Sequence, residues 1–409
     1  MPNPIFFFVL VVGHDYDGKK LSFAEMCTNR VKERIAKARK DIKGKAKKPL
    51  VAAPATLRFV RFDVTDGGVQ FFDYDLKVRT GGDGAFSARK WQPITAVPAA
   101  PAASNLSWVR NTIIAVDPTR DYQPGSETFD PNNPPDSNNV TSIVDVYDAI
   151  RSAPAKSVME LSFFSHGWVE GPILVNSTRD PATPVGQRDP NDHDGRSATD
   201  FTATMGAAAG ATRLTEFKNA FADGAKIQTW GCNFDIEVRV VQQVLKAMKR
   251  DKTKKLEATS SFDLEFELPA TSGTGTARYW TDRAFFGPDT TPPTQTFTKT
   301  GDLIKNYLTR RIQNCYAFQA AVGTGLTTLG AVPGTGGDDE KSQNHGGIFL
   351  MQVCRNADPK AKTPECPDGW GPILDFYKKH FGIKNDAKRG YGIYDPATVT
   401  AINLLPSSP

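Results

Sequence analysis

The chain has 409 residues, 39% hydrophobic and 23% charged, a balance that excludes wholesale disorder and collagen-like repeats. Folding a chain of this length buries roughly three quarters of its unfolded surface, so the core needs no cross-links. Five cysteines are too few, and odd in number, for a disulfide scaffold. Net charge is +5, but residues 30–48 alone carry ten Lys/Arg against Glu33 and Asp41, which leaves the rest mildly acidic. A nucleic-acid groove would spread its basic character more widely, so no nucleic-acid partner is expected.

Ile5–Val12 is an apolar run that predicts a buried strand. It is far short of the roughly 20 residues that cross a bilayer, and it lacks the basic flank and small-residue cleavage site of a signal peptide. The expectation is a cytoplasmic chain without a membrane partner, with export by a route needing no cleaved signal as the alternative. Over Ser22–Ile42, Phe23, Cys27, Val31, Ile35, Ala38 and Ile42 recur at helical spacing with Lys and Arg mostly between them. That pattern predicts an amphipathic helix whose basic side faces solvent. An anionic docking surface is the other reading. Thr56–Val64 and Val69–Lys77 flank Asp66-Gly67 and predict a hairpin.

Further on, Ala96–Ala103 and Asp117–Asn139 are loop-like in composition, with a strand predicted between them at Asn111–Val116. A helix is expected over Thr141–Ser152 and a strand over Val158–Phe164, then a polar loop from about Asn176 to Thr212. Helix Leu214–Ala222, strand Lys226–Trp230 and helix Phe234–Arg250 follow, then one or two strands in Leu256–Leu268. The last predicted elements are a long helix Gly301–Val322, strands Leu326–Val332 and Gly347–Val353, and helix Gly371–Phe381. Short apolar strands alternating with helical patterns imply an α/β fold: a mainly parallel sheet flanked by helices, with an N-terminal hairpin and long loops. Residues 1–104 read as part of one unit with a core over 105–355 that carries an insertion at about 251–300, and 356–409 as a C-terminal extension.

In open parallel sheets, reactive groups collect beyond the carboxyl ends of the strands. Two such ends stand out. Leu161-Ser-Phe-Phe-Ser-His166-Gly167 ends in His-Gly, and Ile227-Gln-Thr-Trp-Gly231-Cys232 ends in Gly-Cys ahead of a predicted helix. A cysteine at a strand-to-helix junction lies near the positive end of the helix dipole, which favours the thiolate. A histidine on a neighbouring strand end can serve as general base and then general acid. Adjacent glycines admit a substrate backbone and leave N–H groups for an oxyanion.

These two blocks resemble the caspase-hemoglobinase fold of the clan CD cysteine peptidases, a group that includes caspases, gingipains, legumain and CHAT-type relatives. The resemblance covers about residues 105–355 and implies a three-layer fold in which His166 is the catalytic histidine and Cys232 the nucleophile. It also implies an oxyanion hole made by the N–H groups of Gly167 and Cys232. Trp230-Gly231 stand where caspases carry Gln-Ala, so Asp specificity is not implied, and the 65 residues between His166 and Cys232 are nearer to CHAT-type spacing. In this group the strand after the post-cysteine helix commonly borders the S1 pocket. That makes Asp338 and Asp339 candidates for holding an Arg or Lys side chain at P1; the other reading of Gly336-Gly337-Asp338-Asp339 is a solvated turn.

Cys27 and Cys315 lie on apolar helical stripes and read as core. Cys354 and Cys366 flank a polar loop and are either a disulfide or two reduced thiols. No metal or other cofactor is expected: His345 has no second histidine at ligand spacing, and the glycine of Asp189–Gly195 is out of EF-hand register. His14–Asp17 reads as a polar turn, with a place in the cleft as the alternative. Walker A, G-x-S-x-G and H-E-x-x-H sequences are absent. The expectation is a cysteine endopeptidase acting on protein or peptide substrates. The alternatives are a scaffold module that has lost turnover and, more weakly, a phosphate binder built on Gly334–Gly337.

Overall fold

A strand without a single polar side chain, such as β1 (Ile5–Val12), is stable only where both its faces are covered. The computed structural model of the chain puts it near the middle of a sheet. Described are residues 3–13, 22–44, 49–52, 54–63, 68–76, 91–93, 143–168, 171–174, 210–233, 237–267, 285, 294–338, 350–351 and 370–407. After β1 come α1 (Phe23–Lys43), β2 (Ala55–Asp63), β3 (Gly68–Leu76), β4 (Gln92–Pro93), α2 (Ile143–Arg151), β5 (Val158–Phe164), β6 (His166–Trp168) and β7 (Gly171–Ile173). The middle of the chain forms α3 (Gly210–Ala220), β8 (Phe221–Trp230), α4 (Glu237–Arg250), β9 (Ser261–Glu267), β10 (Thr294–Thr300), α5 (Gly301–Gln313), α6 (Tyr316–Thr324) and β11 (Thr327–Gly330). The last elements are β12 (Gly337–Asp338), β13 (Leu350–Met351), α7 (Trp370–Phe381), β14 (Lys384–Asn385), β15 (Gly392–Tyr394) and α8 (Pro396–Asn403).

The main sheet has the order β14-β15-β11-β8-β5-β1-β2-β3-β4. Its centre, from β11 through β8, β5 and β1 to β2, is parallel throughout, and antiparallel pairs occur only at the margins. The fold is therefore α/β with a large, mostly parallel mixed sheet flanked by helices. One face packs Phe8, Leu10, Phe59 and Phe164 under α1. The other packs Phe7, Val9, Leu161 and Phe163 under α2, α3 and α6. A further apolar cluster joins α4, α5, α7 and α8 to the β9–β10 hairpin, which occupies the expected insertion.

Several boundaries differ from the sequence reading. The helix expected over Gly301–Val322 breaks at Asn314-Cys315, where Cys315 takes an extended conformation (φ −75, ψ 145). The break lets α5 bury Ile304, Leu308 and Ile312 among helices while α6 turns Tyr316 and Ala320 onto the sheet. β8 starts at Phe221, because Phe221 and Ala222 are buried as sheet residues and not as the end of α3. The described part of the expected strand Gly347–Val353 pairs with β12 in a small separate sheet. Beside β11 the main sheet instead takes β15, from the C-terminal segment. The predicted strand at 111–116 lies outside the described residues.

The basic helix also departs from expectation. Lys32, Lys37, Lys40 and Lys43 are exposed, but Arg30 is only 6% exposed and Arg34 is half-buried. Both reach Glu160, a fully buried carboxylate in the middle of β5: Arg30 Nε donates to it at 2.8 Å, and Arg34 and Ser162 donate as well. Burial alone would raise this carboxyl, but the charges of Arg30 and Arg34, with the Arg30 and Ser162 hydrogen bonds, hold it down at about 2 against an ordinary 4.5. A folded-state value below the unfolded one contributes stability above pH 4.5 that is lost as pH falls toward 2. Glu160→Gln leaves two buried guanidinium groups without their counter-charge and is expected to cost about 3–5 kcal/mol. Urea unfolding of both proteins from pH 7 to pH 2.5 checks this: the stability gap should narrow below pH 4.5, and parallel curves would refute the assignment.

Candidate functional site

β5 and β8 run parallel with Phe164 opposite Trp230, so the chain leaves both strands at the same edge and level. Two residues further on lie His166 and Cys232. Here the two turns touch backbone to backbone. A Cβ placed on Gly167 would sit 2.5 Å from the Cys232 carbonyl oxygen and 3.1 Å from its nitrogen. One on Gly231 would sit 2.9 Å from the Ser165 oxygen and 3.0 Å from the Gly167 nitrogen. Real Cβ atoms do not approach that closely, so both positions require glycine for space.

His166 is half-buried, and its ring meets Phe23 in the first turn of α1 edge to face, centroids 5.2 Å apart. Its backbone belongs to the β6–β7 hairpin, where it pairs with Ile173. Cys232 is half-buried and is not in a disulfide. Both residues line one cleft with Gly167, Trp230, Asn233 and the first residues of α6. The enclosed part of the cleft is small, about 20 Å³, room for one water-sized group.

Trp230 forms the floor. Its indole N–H donates to Ser162 Oγ at 3.2 Å, and Ser162 in turn donates to Glu160 at 2.5 Å. The guanidinium of Arg30 lies 4.9 Å from the Trp230 ring and that of Arg389 lies 5.4 Å away. Phe164 stacks on the same ring at 6.5 Å, and Tyr391 meets it edge-on at 5.1 Å. The residue two before Cys232 is thus held from every side.

The residue after Cys232 is held as well. The Asn233 N–H donates to Thr335 O at 2.8 Å, Asn233 Nδ2 donates to Ala331 O at 3.0 Å, and the Gly334 N–H donates to Asn233 O at 2.6 Å. These bonds strap the loop after β11 against the cysteine. The same loop continues into β12, where Asp338 pairs through its backbone with Leu350. Asp339 lies outside the described residues. The structure therefore brings His166, Gly167 and Cys232 together and carries Asp338 on the strapped loop three residues past Thr335.

Other sequence candidates resolve separately. Cys27 is buried, and burial pushes its thiol far up. Cys315 is buried too, its thiol raised to about 11 by burial, but it sits at the break ahead of α6 and not inside a helix. The described helix after Cys232 begins at Glu237; the expected start at Phe234, like His14–Asp17, Asp189–Gly195, His345, Cys354 and Cys366, falls outside the described residues. No group of three or more potential metal ligands occurs among the described residues. Among them, too, no helix is long and apolar enough to cross a membrane. The clamp on Trp230 was missed from sequence. Its one local signal was Glu160, a lone carboxylate inside an apolar strand.

No protein-family model, curated protein or solved structure matches the chain. The site's reading therefore rests on its geometry. Gly167→Ala should drive a methyl group into the Cys232 carbonyl and cost about 1–3 kcal/mol by overpacking. Thermal unfolding together with thiol alkylation of Cys232 checks this: an unchanged Tm and unchanged alkylation rate would show that the contact is not tight.

Proposed function

We propose that the chain is a cysteine peptidase of the caspase-hemoglobinase type, working through Cys232 and His166. The observation that carries this reading is the backbone contact between Gly167 and Gly231-Cys232, at one edge of two adjacent parallel strands. It sets a thiol, an imidazole and the N atoms of Gly167 and Cys232 around one small cleft. In the reaction, Cys232 Sγ attacks the scissile carbonyl and its proton passes to His166. The N–H groups of Gly167 and Cys232 receive the developing oxyanion. His166 then protonates the leaving amine, and water deprotonated by the same ring hydrolyses the thioester. No step requires a cofactor.

The phosphate-binding alternative is weakened by the loop itself. The N–H groups of Gly334 and Thr335 already donate to Asn233 O and Val332 O. A loop that cradles phosphate needs such groups turned outward. For specificity, Asp338 at the end of β12 remains the proposed partner of an Arg or Lys side chain at P1.

An acyloxymethyl-ketone probe followed by peptide mapping should label Cys232 above the other four cysteines. Cys232→Ala should abolish turnover, and His166→Ala should lower it by about 10³-fold or more, because members of one catalytic unit do not contribute additively. Turnover retained by purified Cys232→Ala would sink the assignment, and a folded wild-type chain that neither labels nor cleaves would favour the scaffold reading. On a fluorogenic panel varied only at P1, Asp338→Asn should reduce kcat/KM several-fold for Arg and Lys substrates alone. Preference for Asp or small apolar residues would leave the dyad standing and reduce Asp338 to a turn residue.

A further inference from the structure

Proton exchange between His166 and Cys232 needs the imidazole held in one plane, and the glycines of the two sequence motifs leave that plane open. The backbone at His166 is fixed. It pairs with Ile173 in the β6–β7 hairpin, and Ser165 Oγ donates to the His166 carbonyl at 2.7 Å. Ser165 is itself seated against the end of β1: the Gly13 N–H donates to Phe164 O at 2.9 Å, and a Cβ on Gly13 would lie 2.7 Å from that of Ser165. A fixed backbone still leaves the side-chain torsions. The first settles into one of three staggered wells, but the second torsion of histidine is broad, so intrinsic preference does not set the plane of the ring. A packed neighbour has to.

Phe23 is in that place. Its ring lies 5.2 Å from the His166 ring, with the two planes at 85°, an edge-to-face arrangement that aromatic pairs favour. Phe23 is 2% exposed and belongs to the buried cluster of α1 and the sheet, so its ring does not swing aside without opening a cavity. Ser22 caps the turn by accepting the Glu25 N–H. Arg30 and Arg34 follow Phe23 by about two and three turns on the same side of α1, and both bind Glu160. The strand that leads to His166 therefore also sets, through α1, the ring against which His166 rests.

We propose that Phe23 is a positioning residue whose ring fixes the plane of the His166 imidazole for proton exchange with Cys232. This rests on the reading of His166 and Cys232 as a dyad, and it adds a residue from α1, far from both motifs in the chain. An aliphatic side chain of similar volume fills the same space but offers no flat face. Misplacement of a reacting group by about 1 Å costs on the order of 10²-fold in rate, so loss of the ring should be visible in turnover.

The test compares full-length wild type, Phe23→Leu and Phe23→Tyr on a fluorogenic peptide that the wild type cleaves, with rates taken per folded molecule. Phe23→Leu should lower kcat tenfold or more and leave KM within twofold, and Phe23→Tyr, which keeps the ring, should stay within threefold of wild type. With 13C-labelled histidine, the His166 ring resonance, assigned by its loss in His166→Gln, should shift in Phe23→Leu. A lowered Tm with unchanged kcat makes Phe23 a core residue only and overturns the proposal. Equal losses in the Leu and Tyr variants overturn it as well, because the ring is then not what matters. Should Phe23→Leu fail to fold, Phe23→Met is judged by the same criteria. If the folded wild type cleaves no peptide and Cys232 takes no acyloxymethyl-ketone label, the dyad reading itself falls, and this proposal with it.

Discussion

Glu160 is the constraint around which the sheet's polar side is arranged. A carboxylate buried without partners in the middle of a central strand would cost several kcal/mol. Here it is met by Arg30 and Arg34 from α1 and by Ser162 from its own strand. Because guanidinium geometry is directional, this pairing allows α1 essentially one rotation about its axis. That rotation also sends Cys27, Val31, Ile35 and Ala38 into the core. Arg30 goes on to Gln228 at 2.6 Å and to Glu33 at 3.0 Å, and Glu33 receives Lys388 and Arg389 from the C-terminal turn. One polar network thereby joins the first helix, the two motif strands and the last part of the sheet.

That network ends at the floor of the site. Ser162 links Glu160 to the Trp230 indole, and Arg30 and Arg389 lie against the ring. The two dipeptides beyond Phe164 and Trp230 are then pressed together with no room for a Cβ at Gly167 or Gly231. Rigid support is what a dyad needs, since general-base transfer demands hydrogen-bond reach, and an error of an ångström is costly. The strap of Asn233 to Thr335 and Ala331 supplies the same support from the other side.

The second apolar cluster explains why so much chain follows the cysteine. α6 faces two ways: Tyr316 and Ala320 lie on the sheet, while Ala317, Phe318 and Ala321 lie among α4, α5, α7 and α8. A straight continuation of α5 could not do both, and the extended Cys315 makes the turn. The same turn places the start of α6 against the cleft that holds Cys232.

Much of this was legible in local pattern. β1 and β5 carry their expected bounds because short, mainly apolar runs rich in aromatic and branched residues suit strands covered on both faces. α1, capped by Ser22 as its side chain accepts the Glu25 N–H, follows from its apolar spacing. The His-Gly and Gly-Cys pairs were visible as residue types at strand ends, which is why His166 and Cys232 could be named. The remainder depended on contacts between residues far apart in the chain. Nothing near Arg30 in sequence distinguishes it from Lys32, because its burial is decided by a carboxylate 130 residues away. Tyr391 meets Trp230 only because the C-terminal strand, and no nearer segment, pairs with β11. Local periodicity determines which side chains must be hidden from water. Strand order and ion pairing between distant segments determine which of them meet, and only the folded chain settles that.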